Sequence, residues 1–127
     1  MTALEVGIVA RDAARLTTFY VDGLGFTVET VYEFPRGSVH RLCRETARCK
    51  LFQPATPLAE RPSFEPWYAC PGTGYAALLV RSAEEEVERA CSAGAVVLEE
   101  LVSHRPGALY ALISDPEGNI WEILQEG

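Results

Sequence analysis

The sequence predicts an α+β fold built from two βαβββ modules that follow one another along the chain. The first observation is the order of elements, since a strand, a helix and three short strands occur twice. The second is the spacing of this repeat, because Arg11-Asp12 before the first helix corresponds to Arg81-Ser82, 70 residues later. The third is the segment between the modules, which is rich in proline and turn-forming residues. We therefore expect a single domain, 1–127, with module one at about 3–54, a connecting loop at about 55–73 and module two at about 74–126.

Module one begins with the β-rich segment 4–10, whose side chains alternate between two faces. Asp12 is then predicted to be a helix N-cap, and apolar residues at helical spacing follow until Gly23 or Gly25 ends the helix. Three strand-like segments with turn residues between them complete the module: FTVETVYEF (26–34), SVHRLCR (38–44) and CKLFQ (49–53).

Module two repeats this order, starting with the strand YAALLVR (75–81). Ser82 and Glu85 form a capping box at the start of its helix. The run from Glu84 to Glu86 lies in the first turn, where the helix dipole favours negative charge, so we interpret it as a solvated helix start and not as a catalytic cluster. Three strands follow: AVVLEEL (95–101), ALYALIS (108–114) and NIWEILQ (119–125). Neither module can bury its sheet alone, whereas packing the two together can.

Composition and charge limit the classes of function. A hydrophobic content of 48% and a charged content of 23% are those of an ordinary globular protein. No apolar run approaches the ~20 residues that span a bilayer, and the first residues lack a signal peptide, so we expect a cytoplasmic protein without a membrane partner. The net charge of −7 argues against a nucleic-acid partner, whose phosphates attract basic proteins. An acidic surface favours solubility and could also attract a cationic small molecule.

The 4 cysteines predict no metal site of their own. None forms a CxxC pair, and only 2 histidines are present to help them. Free thiols are the default in a cytoplasmic protein. Cys43 and Cys49 could nevertheless face each other across a hairpin, which leaves a redox pair open.

Three motifs carry a resemblance to a known family. They are D-x6-F-Y (Asp12 to Tyr20), L-G-F (24–26) and D-P-E-G-N-I-W-E (115–122). Together with the βαβββ repeat they resemble the glyoxalase/bleomycin-resistance/dioxygenase superfamily, the vicinal oxygen chelate fold, over about Leu4 to Gln125. The resemblance implies that each module curls into a half-barrel, giving a curved, barrel-like mixed sheet around a cavity. It does not select an activity, because the family includes isomerases, epimerases, thiol transferases, ring-cleaving dioxygenases and drug-sequestering proteins.

The resemblance also implies positions for a divalent metal, which family enzymes hold with one residue from the first and one from the last strand of each module. Carried over to this chain, these positions are Glu5 and Tyr75 in the first strands and Glu122 in the last strand of module two. The position in module one stays open between two residues that share a face. Matching LFQ with ILQ selects Lys50, whereas keeping the 70-residue spacing selects Phe52.

These side chains make an incomplete metal site. Glu5 and Glu122 are good oxygen donors for nickel, zinc, manganese or iron, and they would be the metal ligands or the catalytic residues. A phenol such as that of Tyr75 is a poor ligand at neutral pH, and the ammonium of Lys50 is none. Because two buried carboxylates repel each other, we hypothesise that Lys50 replaces the metal electrostatically, pairing with Glu122 and secondarily with Glu5. The favoured prediction is therefore no cofactor, with a divalent metal as the alternative.

Histidine, which the family usually places in one or both first strands, is found elsewhere in this chain. His40 lies in the third strand next to Arg41, where a packing or solvated role is expected. His104 precedes a turn and is expected in a loop, which could approach the mouth of the cavity.

Further ligand contacts are predicted from strand parity and from one aromatic loop. Val9 and Leu79 share a face with the metal positions. Trp67 and Tyr68 in the connecting loop could cover a flat ligand or, equally, link the modules or a dimer. The residues predicted to bind ligand are thus Lys50, Phe52, Tyr75, Val9, Leu79, Trp67 and Tyr68.

One hairpin carries the only concentration of positive charge in the sequence. Its members are Arg36, Arg41, Arg44, Arg48 and Lys50. Such a cluster could steer an anionic substrate toward the cavity. The simpler interpretation is a solvated hairpin that pairs with acidic neighbours.

Three functions compete on this sequence. The favoured one is a binding protein for a small organic molecule, forming a homodimer as members of the family commonly do. The alternative is a glyoxalase-like lyase or isomerase that uses Glu5 and Glu122. The third is a scaffold whose family cavity is filled by side chains.

Overall fold

The computed structural model describes all 127 residues apart from the side chain of His104. The prediction that this side chain approaches the cavity mouth therefore lies outside the described residues, whereas the predicted loop position is wrong, because residue 104 lies in a strand.

Two βαβββ modules form the structure, which confirms the predicted fold class. Module one contains β1 (Val6–Val9), α1 (Ala13–Leu24), β2 (Thr27–Phe34), β3 (Gly37–Arg44) and β4 (Ala47–Pro54). Module two contains β5 (Ala76–Leu79), α2 (Ala83–Ser92), β6 (Val96–Arg105), β7 (Ala108–Ser114) and β8 (Ile120–Gln125). The predicted ends agree within a few residues, except that β6 continues through residues 102–105. None of the described helices has the length and apolar character needed to cross a membrane.

Each module makes its own four-stranded mixed sheet. The strand orders are β1-β4-β3-β2 and β5-β8-β7-β6. In each sheet the first and last strands of the module are parallel neighbours, and the remaining pairs are antiparallel. The sheets stay open and do not close into barrels, so β1 and β5 lie at sheet edges.

The helix starts are built in the same way in both modules. Asp12 and Ser82 cap α1 and α2 as predicted, each accepting the backbone N–H of the third residue on. A glutamine from the last strand adds a second bond, since Gln53 and Gln125 each accept the N–H of the first helical residue, at 2.7 and 3.0 Å. The repeat therefore extends from the order of elements to individual hydrogen bonds.

The two helices cover one face of the sheets, and a common apolar core fills the space beneath them. Alternate strand residues point into this core, among them Ile8, Leu42, Cys49, Leu51, Leu78, Ile113, Trp121 and Ile123. The intervening residues lie on the opposite face of each sheet, which we call the open face. Lys50 and Phe52 lie on the open face of module one, and Glu122 lies on that of module two.

The two glycines near the end of α1 have different roles. Gly25 adopts the left-handed conformation, with φ of 71°, and ends the helix. Gly23 lies inside the helix where α1 contacts α2, and a Cβ atom there would lie 2.9 Å from the Cβ of Ala93. The missing side chain at Gly23 therefore allows the two helices to approach closely.

We predict that Gly23→Val lowers the free energy of unfolding by about 2–3 kcal/mol, because the added carbons overpack the helix contact. Urea unfolding followed by circular dichroism measures the change. Ala14→Val, at an exposed position of the same helix, is the control and should cost no more than about 0.7 kcal/mol. A loss for Gly23→Val no larger than that of the control would contradict this account of the helix contact.

The interpretation of Glu84 to Glu86 as a solvated helix start is wrong for Glu86, which is 9% exposed. Its carboxylate accepts two bonds from Arg44 of β3, at 2.6 and 3.0 Å, and one from Arg89 at 2.7 Å. Arg44 also donates to the carbonyl of Leu24 at the end of α1, so this cluster joins the two modules. Burial alone would raise the pKa of Glu86, but the hydrogen bonds and charges of both arginines outweigh it and hold the pKa below its ordinary value.

Candidate functional site

A cleft with a volume of about 1790 Å³ lies where the edge strands β1 and β5 of the two sheets approach each other. Among the predicted site residues, Glu5, Val9 and Tyr75 line this cleft. Residues 58–62 of the connecting loop and the turn at 116–119 form other parts of its wall. The remaining predicted residues lie outside its lining, on the open faces of the sheets or in the connecting loop.

The strand register shows which residue of β4 corresponds to Glu122. Lys50 lies beside Gly7 of β1, as Glu122 lies beside Ala77 of β5. Gly7 and Ala77 are themselves equivalent in the repeat, so Lys50 and not Phe52 takes the fourth family position. Phe52, two residues further along the same face, stacks on a phenylalanine of β2.

Lys50 lies close to Glu5 in the structure. Its Nζ atom is 3.9 Å from Oε2 of Glu5, and Nε of Arg41 is 3.8 Å from Oε1. Both distances exceed a hydrogen bond, and the Lys50 side chain is 47% exposed, so the contact is a loose surface ion pair. The hypothesised pairing of Lys50 with Glu122 is not seen: the two residues belong to different sheets, and the ammonium of Lys50 lies next to Glu5 instead. Glu122 makes no ion pair with any side chain that the structure describes.

The four family positions do not match a four-ligand metal site in this chain. Lys50 has no lone pair to offer, and Glu5 is already flanked by cations. The ring of Tyr75 packs edge-on against Trp67, with centroids 5.9 Å apart. His40 lies on the helix side of β3, opposite a buried leucine, and so cannot substitute. Within the described side chains, no group of three or more His, Cys, Asp or Glu is placed to hold a metal.

The connecting loop places aromatic rings beside module two. Trp67 donates from Nε1 to Oε2 of Glu99 on β6 at 3.0 Å. Its ring also meets the ring of Tyr68 edge-on, with centroids 5.4 Å apart. Trp67 therefore attaches the loop to module two, whereas Tyr68 and Tyr75 are exposed and keep ring surface for another contact.

The basic residues of the hairpin cluster contact different partners. Arg44 is engaged between the helices, as described above, and Arg48 pairs with Glu29 at 3.0 Å. Lys50 has only the loose contact with Glu5, whereas Arg41 adds a hydrogen bond with Tyr32 of β2 to its own loose contact. These two are therefore the open-face cations that keep unused donors.

The redox pair that the spacing of Cys43 and Cys49 left open is contradicted by the strand register. Cys49 lies opposite Leu42 and points into the core, whereas Cys43 lies opposite Arg48 and belongs to the open face. The 4 thiols are free. Burial raises the pKa of Cys49 to about 12, so this thiol stays protonated and unreactive at neutral pH.

Sequence reasoning missed that the family motifs bond to one another. Asp115 is buried and accepts the hydroxyl of Tyr20 at 2.6 Å, and Nε1 of Trp121 donates to the same hydroxyl at 2.9 Å. Asp115 also accepts the backbone N–H groups of Glu117 and Asn119, which shapes the turn. Burial first, and then the charge of Asp115, raise the pKa of Tyr20 well above its ordinary value, so the phenol remains the donor.

Glu117 from the same turn reaches the start of α1. Its two carboxylate oxygens accept the backbone N–H groups of Arg11 and Asp12, at 2.7 and 2.8 Å. A carboxylate in this place satisfies free helix donors and complements the helix dipole. The D-P-E-G-N turn of module two thereby holds the helix of module one.

The paired βαβββ modules and their open-face positions define a protein of the vicinal oxygen chelate class. The sequence matches the Glyoxalase/Bleomycin resistance protein/Dioxygenase superfamily over residues 2–123, and the chain belongs to this superfamily. No curated protein sequence matches it.

Solved structures share the fold at low sequence identity. The structure of SMU.1112c has a TM-score of 0.78 and 24% identity, with 98% of both chains covered. A glyoxalase family protein from Bacillus cereus has a TM-score of 0.80 and 15% identity, with 99% of this chain and 95% of that chain covered. A glyoxalase I mutant from Zea mays has a TM-score of 0.81 and 17% identity. The match covers 98% of the present chain but only 44% of the longer maize chain. At these identities the likeness shows the fold alone.

Proposed function

We propose that this chain is a small-molecule-binding protein of the glyoxalase/bleomycin-resistance type, which holds an organic ligand against the open faces without the metal of the family enzymes. The observation that carries the proposal is Lys50, which stands where module two has Glu122. An ammonium in that position repels a divalent cation and supplies hydrogen-bond donors instead. The site chemistry is therefore suited to an organic ligand with polar groups.

Exposed apolar side chains on the open faces favour a ligand groove over a filled scaffold. Val9 and Leu79 are each 62% exposed, and Tyr32 on β2 is exposed as well. Val9 and Tyr32 are joined across the open face of module one by the paired residues Phe52 and Val39. A continuous row of apolar residues that remain in water is typical of ligand grooves and of interfaces between chains. We propose that the protein acts in the cytoplasm as a homodimer, in which the second copy narrows the open cleft.

An enzyme is the second candidate, and Glu122 is the observation that favours it. This carboxylate lies on the open face of module two and has no ion-pair partner among the described side chains. It is therefore available as a general base or as a metal ligand. A lyase or isomerase of the glyoxalase type would use it in one of these roles.

We predict that protein purified without chelator contains no stoichiometric nickel, zinc, manganese or iron, as measured by mass spectrometry of the elements. Adding these metals should leave the melting temperature of the wild type unchanged, because Lys50 supplies no ligand. Lys50→Glu adds a third carboxylate to the family positions and should give a metal-dependent rise in melting temperature. Arg36→Glu, an exposed position in the same hairpin, is the control with the same change in charge.

One equivalent of metal in the wild-type protein would overturn the metal-free site and favour the enzyme. A thermal-shift screen of organic acids, amines and neutral aromatic compounds tests the binding function itself, since a bound ligand raises the melting temperature.

A further inference from the structure

Two cations on the open face of module one share a single carboxylate. Arg41 of β3 and Lys50 of β4 are cross-strand neighbours, and each has a nitrogen within 4 Å of Glu5, at 3.8 and 3.9 Å. The neighbouring Arg48 is already neutralised by Glu29 at 3.0 Å. One negative charge faces two positive charges, so this group keeps a net positive charge.

These two cations keep unused hydrogen-bond donors, although Arg41 also makes a hydrogen bond with Tyr32. Both contacts with Glu5 are longer than a hydrogen bond. The Nε atom of Arg41 is enclosed and makes no hydrogen bond with any described group, which is a costly state for a charged donor. A guanidinium beside an ammonium is the combination that proteins use to bind carboxylate and phosphate groups. An oxyanion placed here would accept from the Lys50 ammonium and from the partly exposed guanidinium of Arg41.

An aromatic surface stands next to the cations. Phe52 lies two residues beyond Lys50 on the same face of β4, which corresponds to a separation of ~7 Å. Its ring stacks on that of Phe34, with centroids 6.0 Å apart and 13° between the planes. Tyr32 extends this surface on β2 and is exposed, like Phe34. A ligand with an oxyanion at one end and an aromatic ring at the other would match both parts.

The corresponding surface of module two has the opposite charge. Glu122 stands in the place of Lys50, and Glu99 on β6 holds the ring of Trp67. The chain as a whole carries a net charge of −7, which repels anions elsewhere on its surface. An anionic group is therefore favoured on the open face of module one and disfavoured on that of module two.

We propose that Arg41 and Lys50 form an oxyanion subsite, which binds the carboxylate, phosphate or sulfonate of an aromatic organic acid whose ring packs against Phe34 and Phe52. The inference rests on the proposed function and names the class of ligand that the open face holds. The strand register places both cations on the same side of the sheet, and Glu5, within 4 Å of each, acts here as a positioning residue.

Isothermal titration with four naphthalene probes tests this subsite. The probes are 2-naphthoate, 2-naphthyl phosphate, 2-naphthalenemethanol and 2-naphthylmethylamine. Both anions should bind at least about tenfold more tightly than the neutral alcohol, because only they bring a charged acceptor to the two cations. Inorganic phosphate should bind more weakly than naphthyl phosphate, because it cannot use the aromatic surface.

Single substitutions assign the effect to the proposed groups. Lys50→Gln and Arg41→Gln should each weaken 2-naphthoate binding by about tenfold and leave binding of the alcohol unchanged. Phe52→Leu should weaken both probes, whereas Arg36→Gln in the same hairpin should change neither. Thermal melts verify that each variant is folded, and the half-exposed Lys50 keeps the test decisive if Arg41→Gln does not fold.

The outcomes separate the subsite from the proposed function. Equal binding of the acid and the alcohol, or unchanged 2-naphthoate binding by Lys50→Gln, overturns the subsite. Tightest binding of the amine, or equal binding of inorganic phosphate and naphthyl phosphate, also overturns it but leaves a small-molecule-binding protein. Failure of all four probes, together with failure of the broader thermal-shift screen, counts against both.

Discussion

Replacing Asp115 with alanine is expected to lower the free energy of unfolding by about 3–4 kcal/mol, because several donors lose their common acceptor at once. The hydroxyl of Tyr20 and the backbone N–H groups of Glu117 and Asn119 all bond to this buried carboxylate. Each buried donor left without an acceptor costs about 1–3 kcal/mol, although water reaching the turn will satisfy part of this set. Urea unfolding followed by circular dichroism gives the value.

Two further variants show whether the loss comes from the network. Tyr20→Phe removes one donor and leaves Nε1 of Trp121 without its acceptor, so a smaller loss of about 1–3 kcal/mol is expected. The double variant should lose less than the sum of the two single variants, because they share a bond. Asp22→Ala, at an exposed carboxylate of α1, should change stability by less than about 0.5 kcal/mol. A loss for Asp115→Ala as small as that of Asp22→Ala would contradict the structural role of the motif.

This role of Asp115 explains why the motifs identify the family but not its activity. The Tyr20 hydroxyl from one motif and the Trp121 ring from another meet at Asp115, away from the open faces. Their contacts hold the two modules together, which any member of the fold requires whatever its chemistry. The positions that the resemblance assigns to metal ligands are separate from this network, and Lys50 occupies one of them on the open face of module one.

The parts of the fold that local rules govern could be predicted from the sequence. Strand alternation, the caps at Asp12 and Ser82, and the glycine that ends α1 all depend on neighbours within a few residues. Alternation also predicted that Lys50 and Phe52 would share one face of their strand, as they do in the structure. These predictions hold because the period of a strand leaves each side chain only two directions.

Contacts between distant segments could not be predicted in the same way. Parity placed Lys50 and Glu122 on equivalent faces, but it could not tell that the sheets stay separate and that Lys50 meets Glu5 instead. The burial of Glu86 did leave a signal, because Ala83, Glu86 and Ala90 lie on one helical stripe. A carboxylate on an apolar stripe requires a partner, and that partner, Arg44, lies in the other module.

Replacing Arg44 with methionine is expected to lower the free energy of unfolding by about 2–3 kcal/mol at pH 7. Removing one partner of a fully buried ion pair costs about 3–5 kcal/mol, and the value here is smaller because Arg89 remains and the pair is partly open to water. Arg44→Lys should lower the free energy of unfolding by a smaller amount, since lysine keeps the positive charge but cannot make the bidentate pair. Urea unfolding measures the free energy of unfolding of wild type, Arg44→Met and Arg44→Lys. Equal values for wild type and Arg44→Met would contradict a stabilising role of the ion pair.

Lowering the pH should narrow the difference in the free energy of unfolding between wild type and Arg44→Met. This pH dependence identifies Glu86 as the group involved. Because the pKa of Glu86 in the folded protein lies below its ordinary value of 4.5, its carboxylate stabilises the fold fully above that value. The contribution fades as the pH falls through the lower pKa of the folded state, since protonated Glu86 no longer needs Arg44. Glu86→Gln should flatten this part of the pH dependence, whereas Glu88→Gln, exposed on the same helix, should not. A difference between wild type and Arg44→Met that stays constant from pH 7 down to about pH 3 would assign the role of Arg44 to packing and to its bond with the Leu24 carbonyl instead.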